Sequence, residues 1–331
     1  MHPSLAARRP ALTRCAVLLA AALLMVLGLP RPAAAFSAAF FPTQSAGNRG
    51  SDVTALQYLL NARGQSVGAD GVFGSGTKSA VVAFQGANGL TADGIVGPAT
   101  WGKLVVTVQQ PDSGPAVKAV QHLLNAKRGA GLTVDGVFGS GTTAAVKSFQ
   151  SHAGLGADGI VGPTTWRNLL WHYESVDFGA GTLCDQNPDG NTSANWGTSA
   201  AVGQLEAAAA AFAATGNGRL PVGDLSWEHG GDIPGHGSHE AGLDADVWPI
   251  RTDSAQCGAG RITWESSTYD RDATRKLVQE IRAKAPGHIK VIWFNDPVLI
   301  NEGLVKPLTN HDNHLHIRYC EAVHPNALYT C

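Results

Sequence analysis

The chain has 331 residues, of which 44% are hydrophobic and 15% are charged, and its formal net charge is −2 at pH 7. This length is enough for two or three domains with buried cores. The mild acidity and the absence of a basic tract exclude a typical nucleic-acid-binding protein, because such proteins gather lysine and arginine where they contact phosphate.

Residues 1–35 have the pattern of a secretory signal peptide. Arginines precede an apolar run over 16–29, and a small-x-small cleavage site ends at Ala35. The alternative is a transmembrane anchor, but the run is shorter than the roughly 20 residues that a membrane span needs, and prolines follow it. We expect export, cleavage after Ala35 and a mature chain without a membrane partner. Loss of four arginines changes the net charge from −2 to −6.

Four cysteines follow the predicted cleavage site: Cys184, Cys257, Cys320 and Cys331. An even number in an exported chain, without the spacing of a zinc knuckle, predicts two disulfides. Three connectivities are open from the sequence. The short loop between Cys320 and Cys331 favours that pair, which leaves Cys184 with Cys257.

The first half of the chain repeats itself. The segment DGVFGSGT occurs at 70–77 and again at 135–142, and ADGIVGPATW at 92–101 returns as ADGIVGPTTW at 157–166. Repetition over this length indicates two copies of one small module. We assign them to residues 36–105 and 106–172.

Each module has the pattern of three helices. Val53, Leu56 and Leu60 recur at helical spacing in the first copy, and a proline followed by a tryptophan predicts a short last helix. The counterparts in the second copy are Val117, Val120, Leu124, Pro163 and Trp166. No acid, base or nucleophile constellation repeats between the copies, so the modules are interpreted as binding units.

The pattern DGxFGxxT…FQ…LxxDGIVGPxTW resembles the peptidoglycan-binding domain found beside many cell-wall hydrolases. It covers nearly all of residues 45–170, twice. The resemblance implies a three-helix module that binds bacterial peptidoglycan.

Residues 173–331 have a different pattern, in which helices and strands do not alternate regularly. Helices are predicted over 199–214 and 271–285, and strands over 288–294 and 314–319. This order favours an α+β domain with an antiparallel sheet.

Two segments of this domain concentrate metal-binding side chains. GHGSHEAGLDADVW, residues 235–248, contains two histidines and two aspartates, and HDNHLHIRY, residues 311–319, contains three histidines. Residues two apart on a strand share a face, so His314 would project with His316, and Asp244 with Asp246. Two strands and a loop could then supply the three protein ligands of a catalytic zinc.

The same two segments resemble the zinc peptidase family named for lysostaphin, D-alanyl-D-alanine peptidases and hedgehog. More closely, 225–319 resembles the penicillin-insensitive murein endopeptidases, which carry S-H-x-x-G-x-D-x-D and H-x-x-H-x-H. The resemblance implies that Zn²⁺ binds His239, Asp246 and His316.

The resemblance also suggests roles for neighbouring side chains. The carboxypeptidase branch has a glutamate where this chain has Asn313, so His314 is the best candidate for the general base, with His311 to orient water or bind the oxyanion. Weaker candidates for the base are Glu240 and Glu228. His236 and Asp244 are expected to orient ligands, although Asp244 is equally well a strand residue facing solvent. We interpret His172, His229, His288 and His324 as ordinary solvent or capping residues.

The sequence therefore predicts a secreted, wall-associated zinc endopeptidase that cleaves peptide cross-links. One alternative is a zinc D,D- or L,D-carboxypeptidase, which Asn313 disfavours. Another is a wall-binding protein that has lost activity, which the complete ligand set disfavours.

Overall fold

The computed structural model describes residues 39–186 and 194–331. The predicted signal peptide lies outside the described residues. Within those two ranges, no helix is long and apolar enough to cross a membrane.

The first half of the chain folds into two three-helix repeats, as predicted. The first consists of α1 (Ser51–Ala62), α2 (Ser75–Ala87) and α3 (Pro98–Leu104), and the second of α4 (Pro115–Arg128), α5 (Ser140–His152) and α6 (Pro163–Trp171). Pro98 and Pro163 lie in the first turns of α3 and α6, where a missing N–H breaks no helical bond. Trp101 and Trp166 are completely buried. The boundaries at residues 105 and 172 stay predictions.

The Asp-Gly motifs surround buried glutamines. Gln57 donates from Nε2 to Asp70 Oδ1 at 2.7 Å and to Thr77 Oγ1 at 3.0 Å, and its Oε1 accepts from the Gly71 amide. The same arrangement surrounds Gln85, Gln121 and Gln150. Buried amide groups need such partners. D-G-x-x-G-x-x-T therefore serves the fold, and it occurs twice within each repeat.

The second half of the chain is an α+β domain, as predicted. Its elements are β1 (Glu174–Ser175), β2 (Leu183–Asp185), β3 (Trp196–Gly197), α7 (Ser199–Ala213), β4 (Leu220–Val222), β5 (Asp244–Val247), α8 (Arg271–Lys284), β6 (Ile289–Trp293), α9 (Pro297–Asn301) and β7 (Leu315–Tyr319). The main sheet has the order β2-β4-β5-β7-β6, and β1 pairs with β3 in a separate antiparallel ladder. Pairing in the main sheet is antiparallel except between β2 and β4.

The two faces of the main sheet have different chemistry. Ala245, Val247, Leu315 and Ile317 are buried in one hydrophobic core with residues of α7 and α8. Alternate residues of a strand point to opposite faces. The other face of β5 and β7 therefore carries their polar residues, which are Asp244, Asp246, His316 and Arg318.

The repeats pack directly on the α+β domain. Gly50, which precedes α1 with φ of 111°, lies against α7, and a Cβ on Gly203 would be only 2.6 Å from the Gly50 Cα. Next to this contact, the Asp52 amide donates to Ser199 Oγ at 2.9 Å. A buried ion pair of 2.7 Å between Asp52 and Lys127 joins the first repeat to the second.

Two disulfides stabilise loops of the α+β domain. Cys184 on β2 is bonded to Cys257, and Cys320 after β7 is bonded to Cys331. These are the pairs that the sequence favours. The second disulfide holds the C-terminal segment, including Tyr329, close to β7.

Candidate metal centre

Three chain segments bring the predicted ligands together. Strands β5 and β7 are neighbours, and their register places Asp246 directly opposite His316. The loop before β5 supplies His239, which is completely buried. His239 has a φ of 77°, a left-handed conformation that costs a non-glycine residue about 1–2 kcal/mol. Its amide donates to Asp244 Oδ2 at 3.1 Å, which holds this backbone in place.

Three histidine nitrogens lie around one carboxylate oxygen of Asp246. Asp246 Oδ1 lies 3.4 Å from His239 Nε2, 3.5 Å from His316 Nδ1 and 3.8 Å from His314 Nε2. Ligands at about 2.0–2.1 Å from a tetrahedral zinc are about 3.3–3.4 Å apart. His239 Nε2 and Asp246 Oδ1 are also buried and, within the described residues, lack a well-formed hydrogen-bond partner. The side chains therefore fit a zinc ion.

Hydrogen bonds at the outer ring nitrogens fix both imidazoles. His239 donates from Nδ1 to the Leu225 carbonyl at 2.7 Å, and His316 donates from Nε2 to Asp244 Oδ1 at 2.9 Å. With these protons placed outside, the neutral rings would direct the lone pairs of His239 Nε2 and His316 Nδ1 towards Asp246, as metal binding requires. Such outer partners are typical of metal-ligating histidines.

Asp244 is buried beneath the centre. Besides His316 and the His239 amide, it accepts from Arg318 Nε and from the Tyr329 hydroxyl, both at 2.8 Å. Burial would raise the pKa of this carboxyl, but His316 and Arg318 hold the pKa below its ordinary value. Asp244 is thus not a strand residue facing solvent, the alternative left open by the sequence, and its contacts suit a residue that orients His316.

The centre favours positive charge. Burial lowers the pKa of His239, but the Asp246 carboxylate outweighs it and the pKa rises to about 9. Conversely, His239 and His316 hold the pKa of Asp246 below its ordinary value against the effect of burial. A cation between these side chains would be stabilised in the same way.

His314 and His311 lie beside the proposed ligands. His314 donates from Nδ1 to Asn313 Oδ1 at 2.8 Å, so its Nε2 lone pair faces the centre. Burial lowers the pKa of His314 to about 4, which keeps the ring neutral at pH 7. The centroid of the His311 ring is 4.6 Å from that of His314. Asn313, the departure from the carboxypeptidase pattern, here orients His314.

The remaining candidates are more distant. His236 lies between two carboxylates, with Nε2 3.2 Å from Asp224 Oδ2 and Nδ1 3.9 Å from Asp246 Oδ2. Neither weaker candidate for the base lines the cavity at the centre: Glu240 is exposed, and Glu228 pairs with Arg128. The geometry gives no support to either as the base.

The centre lies in a cavity of about 600 Å³ whose walls include residues not foreseen from the sequence. Trp248, Trp293, Arg261 and Asn310 line it, and the Arg261 guanidinium lies 4.2 Å above the Trp248 ring. Their contribution depends on tertiary packing. Of these residues, only Trp248 lies within a segment that the sequence marks as a candidate metal site, because it ends the segment 235–248.

Comparison with known proteins identifies both halves of the chain. Residues 49–104 and 113–169 each match the model of a putative peptidoglycan binding domain, and residues 189–291 match that of penicillin-insensitive murein endopeptidase. The chain therefore joins two repeats that match peptidoglycan binding domains to a domain that matches murein endopeptidases. The endopeptidase match includes His239 and Asp246 but ends before His311. The assignment of His316 on β7 to the metal centre therefore depends on its distance from Asp246.

Curated relatives match over shorter stretches. A probable N-acetylmuramoyl-L-alanine amidase of Bacillus licheniformis is 39% identical over 153 residues, 38% of this chain and 43% of the relative. A zinc D-Ala-D-Ala carboxypeptidase of Streptomyces albus G is 42% identical over 73 residues, 22% of this chain and 28% of the relative. This chain thus spans less than half the length of either relative.

Among solved structures, a peptidoglycan-binding protein from Clostridioides difficile is 53% identical to a part of this chain. The match covers 19% of this chain and 39% of that protein, with a TM-score of 0.19.

Proposed function

We propose that this protein is an exported zinc endopeptidase that hydrolyses peptide cross-links in bacterial peptidoglycan while its two repeats hold it on the wall. The observation that carries the proposal is that His239 Nε2 and His316 Nδ1 lie 3.4 and 3.5 Å from Asp246 Oδ1 in a domain that matches murein endopeptidases. The disulfides and the wall-binding repeats support an extracellular location.

In this proposal His239, Asp246 and His316 hold the zinc ion. A bound zinc supplies Lewis acidity, which polarises an amide carbonyl and makes water acidic enough to react near neutral pH. Asp244 keeps the His316 ring oriented, and the Leu225 carbonyl does the same for His239.

His314 is the proposed general base. Its neutral ring, oriented by Asn313, presents Nε2 to the cavity and can accept a proton from water and return it to the leaving amine. His311, whose Nδ1 donates to the Thr309 carbonyl, lies where its other nitrogen can orient water or the carbonyl oxygen. Arg261 adds positive charge to the cavity wall, which suits a peptide that carries free carboxylates.

Attachment to the wall has a physical benefit. A protein held on its polymer searches for sparse cross-links at a high effective concentration. The close packing of the repeats on the α+β domain gives this search a fixed geometry instead of a flexible tether.

The test is digestion of purified, cross-linked wall fragments by the mature protein, followed by mass analysis of the products. We expect cross-linked dimers to become monomers, and chelation followed by zinc addition to abolish and then restore the reaction. Release of a single terminal D-alanine instead would indicate a carboxypeptidase. No product in either case would favour a wall-binding protein without activity.

A further inference from the structure

A second group of histidines lies where the second repeat meets the α+β domain. His152 at the end of α5 and His172 after α6 approach Glu228 and His229, which lie in the loop between β4 and β5. The Nε2 atoms of the three histidines lie 3.3, 3.8 and 3.7 Å from the Glu228 carboxylate oxygens. We name these four residues the seam cluster.

The seam cluster has the donor set and spacing of a metal site. One ligand atom from each residue lies within 4.8 Å of all the others. Imidazole and carboxylate suit zinc and its transition-metal neighbours, and tetrahedral ligands are about 3.3–3.4 Å apart. The distances to Glu228 are slightly longer than this, so a small rotation of the side chains would complete the site.

A cation already contacts this cluster. The guanidinium of Arg128 forms an ion pair with Glu228 and lies 3.5 Å from His172 Nε2 and 3.4 Å from His152 Nδ1. A guanidinium only donates, so His172 Nε2 and His152 Nδ1 accept, and the Nε2 of a neutral His152 ring then donates to Glu228. A metal in place of Arg128 would therefore bind His152 through Nδ1. Burial lowers the pKa of His172 to about 2 and also lowers those of His152 and His229, so the rings are in the neutral form that binds metals.

We infer that the seam cluster is a second metal site, in which a divalent transition metal such as zinc takes the place of the Arg128 guanidinium. The Arg128 side chain is partly exposed, at 28%, and the proposal requires it to turn towards solvent. Four protein ligands would leave no coordination position for water or substrate, so we assign this metal a structural role. The metal fastens the second repeat to the loop that leads to His239.

A backbone hydrogen bond connects the loop of the seam cluster with the residue after His239. The amide of Gly231, two residues after His229, donates to the carbonyl of Glu240 at 3.0 Å, and Glu240 follows His239. A Cβ on Gly230 would lie 2.3 Å from the same carbonyl. A metal at the seam therefore fixes a segment that packs on the backbone of a proposed zinc ligand.

The experiment is a zinc titration of the chelator-stripped mature protein, read as bound zinc per chain and not as activity. We expect two sites in the unaltered protein and one in Asp246→Asn, and we expect the remaining site to disappear when His152→Ala and His229→Ala are added. The His152 and His229 side chains are 27% and 33% exposed, so their truncation should leave the fold intact. Thermal melting of each variant checks this.

Arg128→Met separates a metal site from an ordinary ion-pair cluster. Removal of the competing cation should tighten zinc binding in the Asp246→Asn background by about tenfold, the effect of roughly 1.4 kcal/mol. A folded Asp246→Asn protein that binds no zinc would overturn the inference. The inference would also be overturned if the zinc bound by Asp246→Asn remained after His152→Ala and His229→Ala were added. If the unaltered protein and Asp246→Asn each bind a single zinc, and that zinc is lost with His152→Ala and His229→Ala, the seam site stands and the proposed catalytic site fails.

Discussion

The two histidine clusters differ in the surroundings of one buried ring in each, His239 in the cluster at β5 and β7 (the sheet cluster) and His172 in the seam cluster. In the cluster at β5 and β7, carboxylates of Asp244, Asp246 and Asp224 outnumber the neighbouring Arg318, and the pKa of His239 rises to about 9. In the seam cluster the one carboxylate is paired with Arg128, and burial, with a smaller contribution from Lys127, lowers the pKa of His172 to about 2. Ligand atoms alone therefore do not define a metal site. The Asp246 carboxylate favours a cation at β5 and β7, whereas Arg128 would compete with one at the seam, so we expect zinc to fill the cluster at β5 and β7 first.

Removing one carboxylate from each cluster should give the largest contrast. Asp246→Asn should lower turnover on soluble cross-linked fragments by on the order of 10³ or more, because several kcal/mol of transition-state stabilisation depend on the metal. Glu228→Gln is the matched control, and we expect a far smaller loss, because this residue touches no reacting group and could act only through the backbone near His239. Equal losses in the two variants would mean that the clusters act as one site.

Within the sheet cluster, His314 and His316 differ in their expected roles. His314→Ala should keep its zinc and lose on the order of 10² to 10⁴ in kcat, the usual contribution of a general base. His316→Ala should lose both zinc and activity. Zinc content and kcat are measured on the same preparations. A zinc-free His314→Ala protein would show that the two roles are exchanged, and near-normal turnover would show that His314 only packs.

Asp244 tests how strongly an outer carboxylate tunes the centre. Asp244→Asn should weaken zinc binding about 10- to 100-fold, as is usual when the partner of a ligating histidine is lost. Tyr329→Phe is the control, because it removes one donor to Asp244 and leaves the charge in place. Competition with a chromophoric chelator measures both affinities. Unchanged zinc affinity in Asp244→Asn would show that Asp244 does not contribute to metal binding.

The sheet cluster was largely predictable because short-range rules apply to it. Because side chains two residues apart share a face of a strand, the sequence predicted that His314 lies near His316 and Asp244 near Asp246. The repeated motifs predicted both three-helix units. The precise partners were not predictable. The sequence could not show that Asn313 orients His314, or that the C-terminal segment brings Tyr329 to Asp244.

The seam cluster was missed for a physical reason. His152, His172 and His229 are separated by 20 and 57 positions in the sequence, and no periodicity connects them. Their meeting depends on the packing of the repeats against the α+β domain, where Gly50 and Gly203 allow close backbone contact. Two of these histidines, His172 and His229, were interpreted as ordinary solvent or capping residues. Local sequence patterns do not predict contacts between segments that are distant in the chain.

The smallest expected effect is a pH dependence of stability that comes mainly from the burial of His172 at the seam. Burial, with help from Lys127 and Arg128, lowers the pKa of His172 to about 2, whereas an unfolded histidine titrates near about 6.5. Between these values the unfolded chain binds a proton here and the folded chain does not. The folded state therefore loses stability as pH falls below about 6.5, by about 2 kcal/mol at pH 5.

His172→Gln removes this titration and keeps a polar side chain. Urea unfolding in the presence of chelator, at pH 7 and pH 5, should show the unaltered protein losing about 2 kcal/mol more than the variant over this interval. Because both proteins share every other titrating group, the difference isolates His172. A difference that does not change with pH would mean that the buried ring keeps an ordinary pKa. The contrast between the surroundings of His239 and His172 would then lose its main support.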